Sequence, residues 1–281
     1  MLKKMGITVN AYLPAADLQT IQKAPRAALN IVRRKKWALA MEQRFGTPFL
    51  HVADMQEWHG IEGISDLYRQ IGKMLGCEDA VERVLQEEYE RVAARYQELR
   101  AEFAKYKFCL IAHGIAYLPD ALRVYQQDYG LPIEKICIIM NPSYQAETGL
   151  DDAMMQRFKD RIELAKAEYG CDAEFLLEPS EDALREAAQS CDFVICNGHP
   201  RYASLNVPVL YNLFDRSVWN YQGFVDIMEE VWQMLQQPQR TGSSLLLSKL
   251  AYDPVFYPMR EADKDSKASR ELYSRIWRQR K

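Results

Sequence analysis

Short and nearly continuous apolar runs alternate with segments of helical periodicity along most of the chain. In the second half these runs have strand length and lack polar alternation, as in Phe193–Cys196. Strands of this kind are typical of parallel sheets that are covered by helices on both faces. The pattern predicts strands at Gly6–Tyr12, Ala28–Arg33, Pro48–Ala53, Lys107–His113, Ile136–Met140, Glu174–Leu177, Phe193–Cys196 and Val209–Leu213.

A long segment without proline or glycine separates two groups of these strands. From Glu78 to Lys105, apolar residues recur at helical spacing and charged residues fill the other positions. We therefore predict an α/β fold of two Rossmann-like domains, with parallel sheets flanked by helices and a C-terminal helical tail. The expected domains are residues 1–104 with the connecting helix, residues 105–237, and a tail at 238–281 that packs on the body or is partly disordered.

Composition excludes several classes of protein. The 36 basic and 39 acidic residues give a net charge of -3, so no overall field favours nucleic acid or an anionic membrane. No apolar run approaches the roughly 20 residues that span a bilayer. The six cysteines form no CxxC pair and no zinc-type spacing, and those in strands are expected to be buried thiols. We expect a cytoplasmic protein with no nucleic-acid or membrane partner and no assignable metal ligands.

Polar side chains follow several strands of the second predicted domain. Ligands of open parallel sheets bind at the carboxyl ends of the strands. There the sequence places His113, Asn141, Asn197, His199 and Arg201, which we take as candidate cofactor-binding residues. The two histidines suit ligation or proton donation, and the guanidinium suits an anion. Alternatively, the histidines only cap strand ends by bonding to the backbone.

A basic run closes the second predicted strand of the first domain. Arg33, Arg34 and Lys36 are candidates for an anion-binding patch facing the same cleft. The alternative is a charged turn in water, because consecutive charges usually face solvent. No nucleophile elbow, Walker A loop, HExxH motif or paired carboxylates occur, so we assign no catalytic residue.

Several phrases of sequence follow one another in an order that is specific for one family. They are Gly6–Asn10 (GITVN), Ala24–Ile31 (APRAALNI), Met41–Phe49 (MEQRFGTPF), Asp192–His199 (DFVICNGH), Asn206–Val209, Phe214–Arg216 and Tyr221–Phe224. Over residues 1–237 the chain resembles the nitrogenase component 1 family. That family includes the molybdenum–iron protein subunits, the cofactor-scaffold proteins and the subunits of dark-operative protochlorophyllide reductase.

The resemblance implies a subunit of an oxidoreductase that is active only within a larger complex. It implies a related subunit as partner, in a homo- or hetero-oligomer, and electrons from an ATP-dependent iron–sulfur reductase. A cofactor or anionic substrate would bind between the domains. The family also leads us to expect an iron–sulfur cluster or metallocluster, held partly by an N-terminal domain that precedes the matched region.

The chain departs from the family pattern at the expected cluster ligands. Cofactor-carrying subunits have a cysteine shortly after the strand that corresponds to Ala28–Arg33, where this chain has Arg33–Lys36. The histidine near the closing segment is replaced by Asn212–Phe214. Guanidinium and ammonium groups cannot coordinate a metal. The chain is therefore expected to be a short relative or a piece of a longer protein, with its cofactor unknown.

Two other functions fit the same architecture. A non-redox cofactor-binding or scaffold protein would keep the two-domain cleft and lose the cluster ligands. A GT-B-like glycosyltransferase also consists of two Rossmann-like domains around a cleft, although the ordered phrases do not favour it.

Overall fold

The computed structural model describes residues 1–13, 17–52, 57–113, 118–139, 152–196, 202, 205, 207–211 and 218–236. The chain divides into two compact units, which we treat separately. The first unit consists of Met1–Phe103, Asp120–Gly130 and Phe214–Trp232, and the second contains Ala104–Pro119, Leu131–Leu213 and Gln233–Lys281. The first unit thus includes two segments from the range 105–237. The domain boundaries 1–104, 105–237 and 238–281 remain a prediction, and the tail lies outside the described residues.

The first unit combines a small parallel sheet with long helices. Its helices are α1 (Leu18–Lys23), α2 (Lys35–Phe45), α3 (Gly60–Leu75) and α4 (Glu78–Phe103), joined by most of α8 (Tyr221–Gln236). Strands β1 (Asn30–Val32) and β2 (Phe49–His51) pair in parallel, with Ile31 opposite Leu50. The short helix α5 (Leu118–Leu122) runs into a π-helical segment, Arg123–Tyr129, which belongs to this unit.

The predicted strand at Gly6–Tyr12 is wrong. A 3-10 helix at Leu2–Met5 ends on Gly6, whose φ of 78° turns the chain sharply. The Ile7 amide then donates to the Leu2 carbonyl at 3.0 Å, and the Asn10 side chain donates to the Lys23 carbonyl at 2.6 Å. These local bonds replace a sheet ladder, so the residues after Gly6 have no regular secondary structure.

The long helix predicted between the two strand groups is confirmed. Helix α4 begins at Glu78 as predicted and ends at Phe103. Its buried side chains repeat at helical spacing, because one stripe faces the core of the unit. They are Val81, Val84, Leu85, Val92, Tyr96, Leu99 and Phe103. Gly46 forms the left-handed cap of α2, with φ of 70°.

The second unit is a doubly wound sheet of five parallel strands. These are β3 (Phe108–His113), β4 (Ile133–Ile139), β5 (Glu174–Leu177), β6 (Phe193–Cys196) and β7 (Val209–Tyr211), in the order β5-β4-β3-β6-β7. Helices α6 (Asp152–Glu168) and α7 (Glu181–Gln189) form the crossovers. The strand order reverses between β3 and β6, which is the switch point where such folds bind ligands. The predicted α/β fold of parallel sheets flanked by helices is confirmed.

Four cysteines lie in one buried cluster on this sheet. Cys109, Cys137, Cys191 and Cys196 pack among aliphatic side chains such as Leu184. The Cys109 and Cys137 sulfurs lie 4.0 Å apart on neighbouring strands. Burial raises the pKa of Cys196 to about 12, so its thiol stays protonated at neutral pH. The strand cysteines therefore act as small apolar side chains, as predicted. Within the described residues, no helix is both long and apolar enough to cross a membrane.

Candidate functional site

A cavity of about 1260 Å³ lies within the first unit. Its walls come from the N-terminal segment, from β1 with the residues before it, and from the end of α3. The lining is mostly apolar, with a few polar and charged residues. It consists of Leu2, Met5–Leu13, Ile21, Ala24, Ala27–Arg34, Trp37, Val52, Ile71, Leu75, Cys77 and Trp219. This volume exceeds the usual 300–1,000 Å³ of ligand pockets, so the cavity has room for a sizeable molecule.

Arg33 and Arg34 place positive charge in the wall of this cavity. Strand β1 ends at Val32, and Arg34 holds the extended backbone that precedes the first turn of α2. Both arginines are therefore fixed at the carboxyl end of the strand, where the sequence pattern predicted them. The first turn of α2 contains no acidic residue, and its helix dipole adds positive potential at this point. Lys36 is exposed within α2 and does not line the cavity.

Asn30 is a polar wall residue that the sequence pattern did not single out. The residue lies at the cavity and is only 9% exposed. The Nδ2 atom has no hydrogen-bond partner among the described residues. An unpaired buried donor costs about 1–3 kcal/mol. A polar residue at the start of a short strand was the available sign, and the Nδ2 atom is closed off from the cavity, with less than 1 Å² of accessible surface.

Aromatic side chains at this cavity are unusually exposed. Tyr12 is 73% exposed, Trp37 is 42% exposed and Trp219 is 36% exposed. Aromatic rings in a pocket wall contribute large contact area and stack on planar ligands. No sequence motif marked Trp219 as a wall residue, and Tyr12 belonged to the incorrect strand. Their role as cavity walls depends on the path of residues 7–13, which no local pattern indicated.

The candidate residues of the second unit fall mostly outside the described part of the chain. His113 ends β3, its backbone paired with Ile139, so it lies at the carboxyl edge of the sheet. The predicted binding residues Asn141, Asn197, His199 and Arg201 lie outside the described residues. The binding roles of all five residues, and a cleft between the two domains, therefore remain predictions.

A second group of polar side chains is buried in the first unit, away from the cavity lining. Arg123 Nη1 lies 3.1 Å from Asp128 Oδ2, and Arg123 Nη2 donates to the Glu57 and His59 carbonyls at 3.0 and 3.2 Å. Asp128 Oδ1 accepts from the amides of Ile61 and Glu62 at 3.1 and 3.3 Å, which caps the start of α3. We call these residues, with Tyr129, the Arg123–Asp128 cluster.

No local sequence pattern indicated this cluster, because its members lie far apart in sequence. His59 Nε2 lies 3.0 Å from the Tyr129 hydroxyl, and the two rings stack. Tyr96 donates to the Asp128 carbonyl at 2.8 Å. Every charged group in the cluster thus meets a partner from another element. The geometry is that of a structural tie between α3, α4 and the π-helical segment.

Burial sets the pKa values of two groups in the cluster in opposite directions. Desolvation, with a smaller contribution from Arg123, lowers the pKa of His59 to about 4. Desolvation raises the pKa of Asp128 to about 6, although Arg123 and the Ile61 and Glu62 amides oppose this shift. Near neutral pH the folded unit therefore contains a neutral imidazole beside an ionised pair.

We expect the stability advantage of His59 over glutamine to shrink by about 3 kcal/mol between pH 7 and pH 4. Unfolded His59 takes up a proton near pH 6.5, and folded His59 only near pH 4, so acidification favours the unfolded state in this window. Asp128 has the opposite effect on stability, because its carboxyl group protonates in the folded state before it does in the unfolded state as the pH falls through 6. Comparing urea unfolding of the wild type with His59→Gln at each pH removes the Asp128 contribution. A constant difference between the two proteins would contradict a buried neutral His59.

The donor atoms around the cavity do not fit a metallocluster. Iron and molybdenum clusters need thiolate or imidazole ligands. Among the described residues, the lining contains one thiol, Cys77, and no histidine. Within the described residues, no three His, Cys, Asp or Glu side chains converge to hold a metal ion. The walls instead suit an organic anion, since Arg33 and Arg34 provide charge and the remaining surface is apolar.

Comparisons with known proteins agree with this architecture. The sequence model of the nitrogenase component 1 type oxidoreductases matches residues 1–236. Two similar solved structures are described as "Nitrogenase Cp1 at pH 5" and "Nitrogenase Cp1 at pH 6.5". Each has a TM-score of 0.54 and 16% identity over 84% of this chain. These matches cover 52% and 55% of the solved chains, so this chain spans little more than half their length. No curated protein sequence matches.

Proposed function

Since this chain belongs to the nitrogenase component 1 type oxidoreductase family, we propose that it is the ligand-binding part of a component 1-like oxidoreductase. Its substrate or cofactor is an organic anion held in the cavity of the first unit. A related subunit assembles with it, and electrons arrive from an ATP-dependent iron–sulfur reductase. The observation that carries the proposal is the pair Arg33 and Arg34 in the wall of an apolar cavity at the carboxyl end of β1.

The charged and the apolar residues of the cavity make different contributions to binding. A guanidinium group binds carboxylate or phosphate oxygens with two parallel N–H donors, which fixes both the position and the orientation of the anion. The apolar walls contact the body of the ligand, while Arg33 and Arg34 are themselves exposed to water. The thiol of Cys77 alone does not make a cluster site. In this proposal the redox centre is therefore held by the related subunit or by another part of the protein.

A non-redox binding or scaffold function is the second candidate. The replacement of soft metal ligands by guanidinium groups favours it equally, because a scaffold needs the cavity and no redox centre. It differs in requiring no reductase. None of the described features favours a glycosyltransferase.

Electron transfer distinguishes the two candidates. The full chain is coexpressed without oxygen together with a component 1-type subunit of the same genome that carries cluster cysteines. The purified complex is mixed with reduced iron–sulfur reductase and ATP, and oxidation of the reductase is followed by visible absorbance. We expect ATP-dependent oxidation that needs this chain. A stable complex without electron transfer would support the scaffold function. Oxidation that proceeds equally well without this chain would contradict both its redox role and its place in the assembly.

A further inference from the structure

A run of aromatic rings extends through the core of the first unit. Its members come from α8, α4 and the π-helical segment, in the spatial order Tyr221, Tyr89, Tyr96, Phe224 and Tyr129. Successive ring centroids lie between 4.6 and 6.4 Å apart. Tyr89 is half-buried and the other four residues are buried. This set of rings, which we call the tyrosine run, therefore connects the surface near Tyr89 with the interior at Tyr129.

The hydroxyl groups of the run differ in what accepts their protons. Tyr96 donates to the Asp128 carbonyl at 2.8 Å, and Tyr221 pairs with a serine hydroxyl at 2.7 Å. Carbonyl and alcohol oxygens form hydrogen bonds but are too weakly basic to take a proton away from a phenol. The Tyr129 hydroxyl instead lies 3.0 Å from Nε2 of His59, and a neutral imidazole nitrogen is a base. Of these three hydroxyls, only that of Tyr129 meets a group that can take its proton.

His59 is held ready to accept this proton. Burial lowers the pKa of His59 to about 4, so the ring is neutral at pH 7 and has a free lone pair. With the ring proton on Nδ1, Nε2 accepts from the Tyr129 hydroxyl. The imidazole stacks on the Tyr129 ring at 5.9 Å and meets the edge of Phe224 at 5.6 Å, which fixes its position. Tyr129 is 0% exposed and His59 is 1% exposed, so a reactive species formed there is shielded from solvent and from other proteins.

From this geometry we propose that Tyr129 and His59 form a redox-active tyrosine site. A one-electron oxidant, such as a metal centre in a high oxidation state or an oxygen-derived radical, removes one electron from the Tyr129 phenol. An oxidised phenol is a strong acid, so its proton moves to His59 Nε2 and leaves a neutral tyrosyl radical beside an imidazolium. One-electron reduction returns the proton and restores both groups. The tyrosine run carries the electron out to the oxidant near Tyr89, with Phe224 bridging Tyr96 and Tyr129.

Photogenerated ruthenium(III) tris-bipyridine supplies the oxidant for the test, with a cobalt(III) ammine complex as the irreversible electron acceptor. The full chain, carrying a heavy nitrogen isotope in its four histidines, is illuminated and frozen at once. Electron paramagnetic resonance detects the radical, and electron–nuclear double resonance detects the nitrogen beside it. We expect a tyrosyl radical whose spin couples to a histidine nitrogen. Its formation should be slower in heavy water, because a proton moves together with the electron.

Tyr129→Phe and His59→Gln should each abolish the histidine-coupled signal. Phenylalanine lacks the phenol, and glutamine keeps a hydrogen-bonding group but is no base. Tyr68→Phe is the matched control, because Tyr68 is also buried and donates at 2.7 Å, but to the backbone carbonyl of Trp219. This variant should keep the wild-type signal. Tyr89→Phe should slow the formation of the radical and leave its spectrum unchanged.

Three results would overturn the assignment. They are the absence of a tyrosyl radical in the wild type, a radical without coupling to a histidine nitrogen, and equal loss of the signal in Tyr68→Phe and Tyr129→Phe. An unchanged rate in Tyr89→Phe would contradict the path through the tyrosine run. The labelled wild type decides the main point even where a variant does not fold. Neither the cavity nor the reductase takes part in these measurements, so this proposal fails or succeeds separately from the proposed function.

Discussion

Replacing Asp128 with alanine is expected to lower the free energy of unfolding by about 3–5 kcal/mol, because the Arg123 guanidinium is then left buried without its carboxylate. The same change removes the acceptor of the Ile61 and Glu62 amides at the start of α3. Asp128 is 3% exposed and Arg123 is 8% exposed, so water cannot replace the lost partner. Urea unfolding at pH 7.5, where Asp128 is ionised, measures the effect.

Asp66→Ala is the matched control for this prediction. Asp66 also pairs with an arginine, Arg69, at 3.4 Å, but both side chains are about half exposed. Exposed ion pairs contribute about 0–1 kcal/mol. A loss for Asp128→Ala no larger than that for Asp66→Ala would mean that the Arg123–Asp128 cluster does not hold the first unit together.

Gly60→Ala is expected to destabilise the first unit by about 2–5 kcal/mol, through backbone strain together with a steric clash. Gly60 has a φ of 81°, and a Cβ placed there would lie 2.1 Å from Asp128 Oδ2. Alanine would thus push the Asp128 carboxylate away from the amides that it caps and also away from Arg123. Thermal and urea unfolding of the purified variant measure the loss.

The other end of α3 offers a control with the same backbone geometry. Gly76 has a φ of 66°, and a Cβ placed there would meet nothing within 4 Å, so Gly76→Ala should cost only the strain of about 1–2 kcal/mol. In the double variant Gly60→Ala/Asp128→Ala the contacts with Oδ2 and Cγ are absent, and only the 2.9 Å approach to the Cβ of residue 128 remains. The two losses should therefore sum to more than the loss of the double variant. Strict additivity would show that Gly60 and Asp128 do not meet.

Periodicity predicted the second unit well because its central strands β4 and β6 are largely buried. Phe193–Cys196 is uniformly apolar, and a short run with that property has few alternatives to a central parallel strand. The length of α4 could also be predicted, since no proline or glycine interrupts its apolar stripe. The strand predicted at Gly6–Tyr12 was wrong because the conformation of this segment depends on the turn at Gly6 and on one hydrogen bond from Asn10. These two features outweigh a weak local preference for a β-strand.

Only part of the candidate site could be predicted from the sequence. Arg33 and Arg34 were candidates because a basic run directly follows a strand, and ligands of parallel sheets bind at strand ends. The structure places both residues at the cavity, and their binding role stays a prediction. Lys36 differs because it lies within α2, where each residue rotates the side-chain direction by about 100°. Asn30 and the Arg123–Asp128 cluster were missed. Their significance comes from what other elements bring to them, which one sequence does not reveal.

The buried cysteines of the second unit also allow the opening of its sheet to be measured by thiol labelling. Among the six cysteines only Cys77 is not buried, and it belongs to the first unit. Burial raises the pKa of Cys171, Cys191 and Cys196. The Cys109 thiol lowers the pKa of Cys137, but Cys137 is fully buried, so reagents do not reach it while the sheet is closed. An alkylating reagent thus reaches the sheet cysteines only when strands separate. Their labelling rate, read by mass spectrometry, measures how often the sheet opens without any engineered probe.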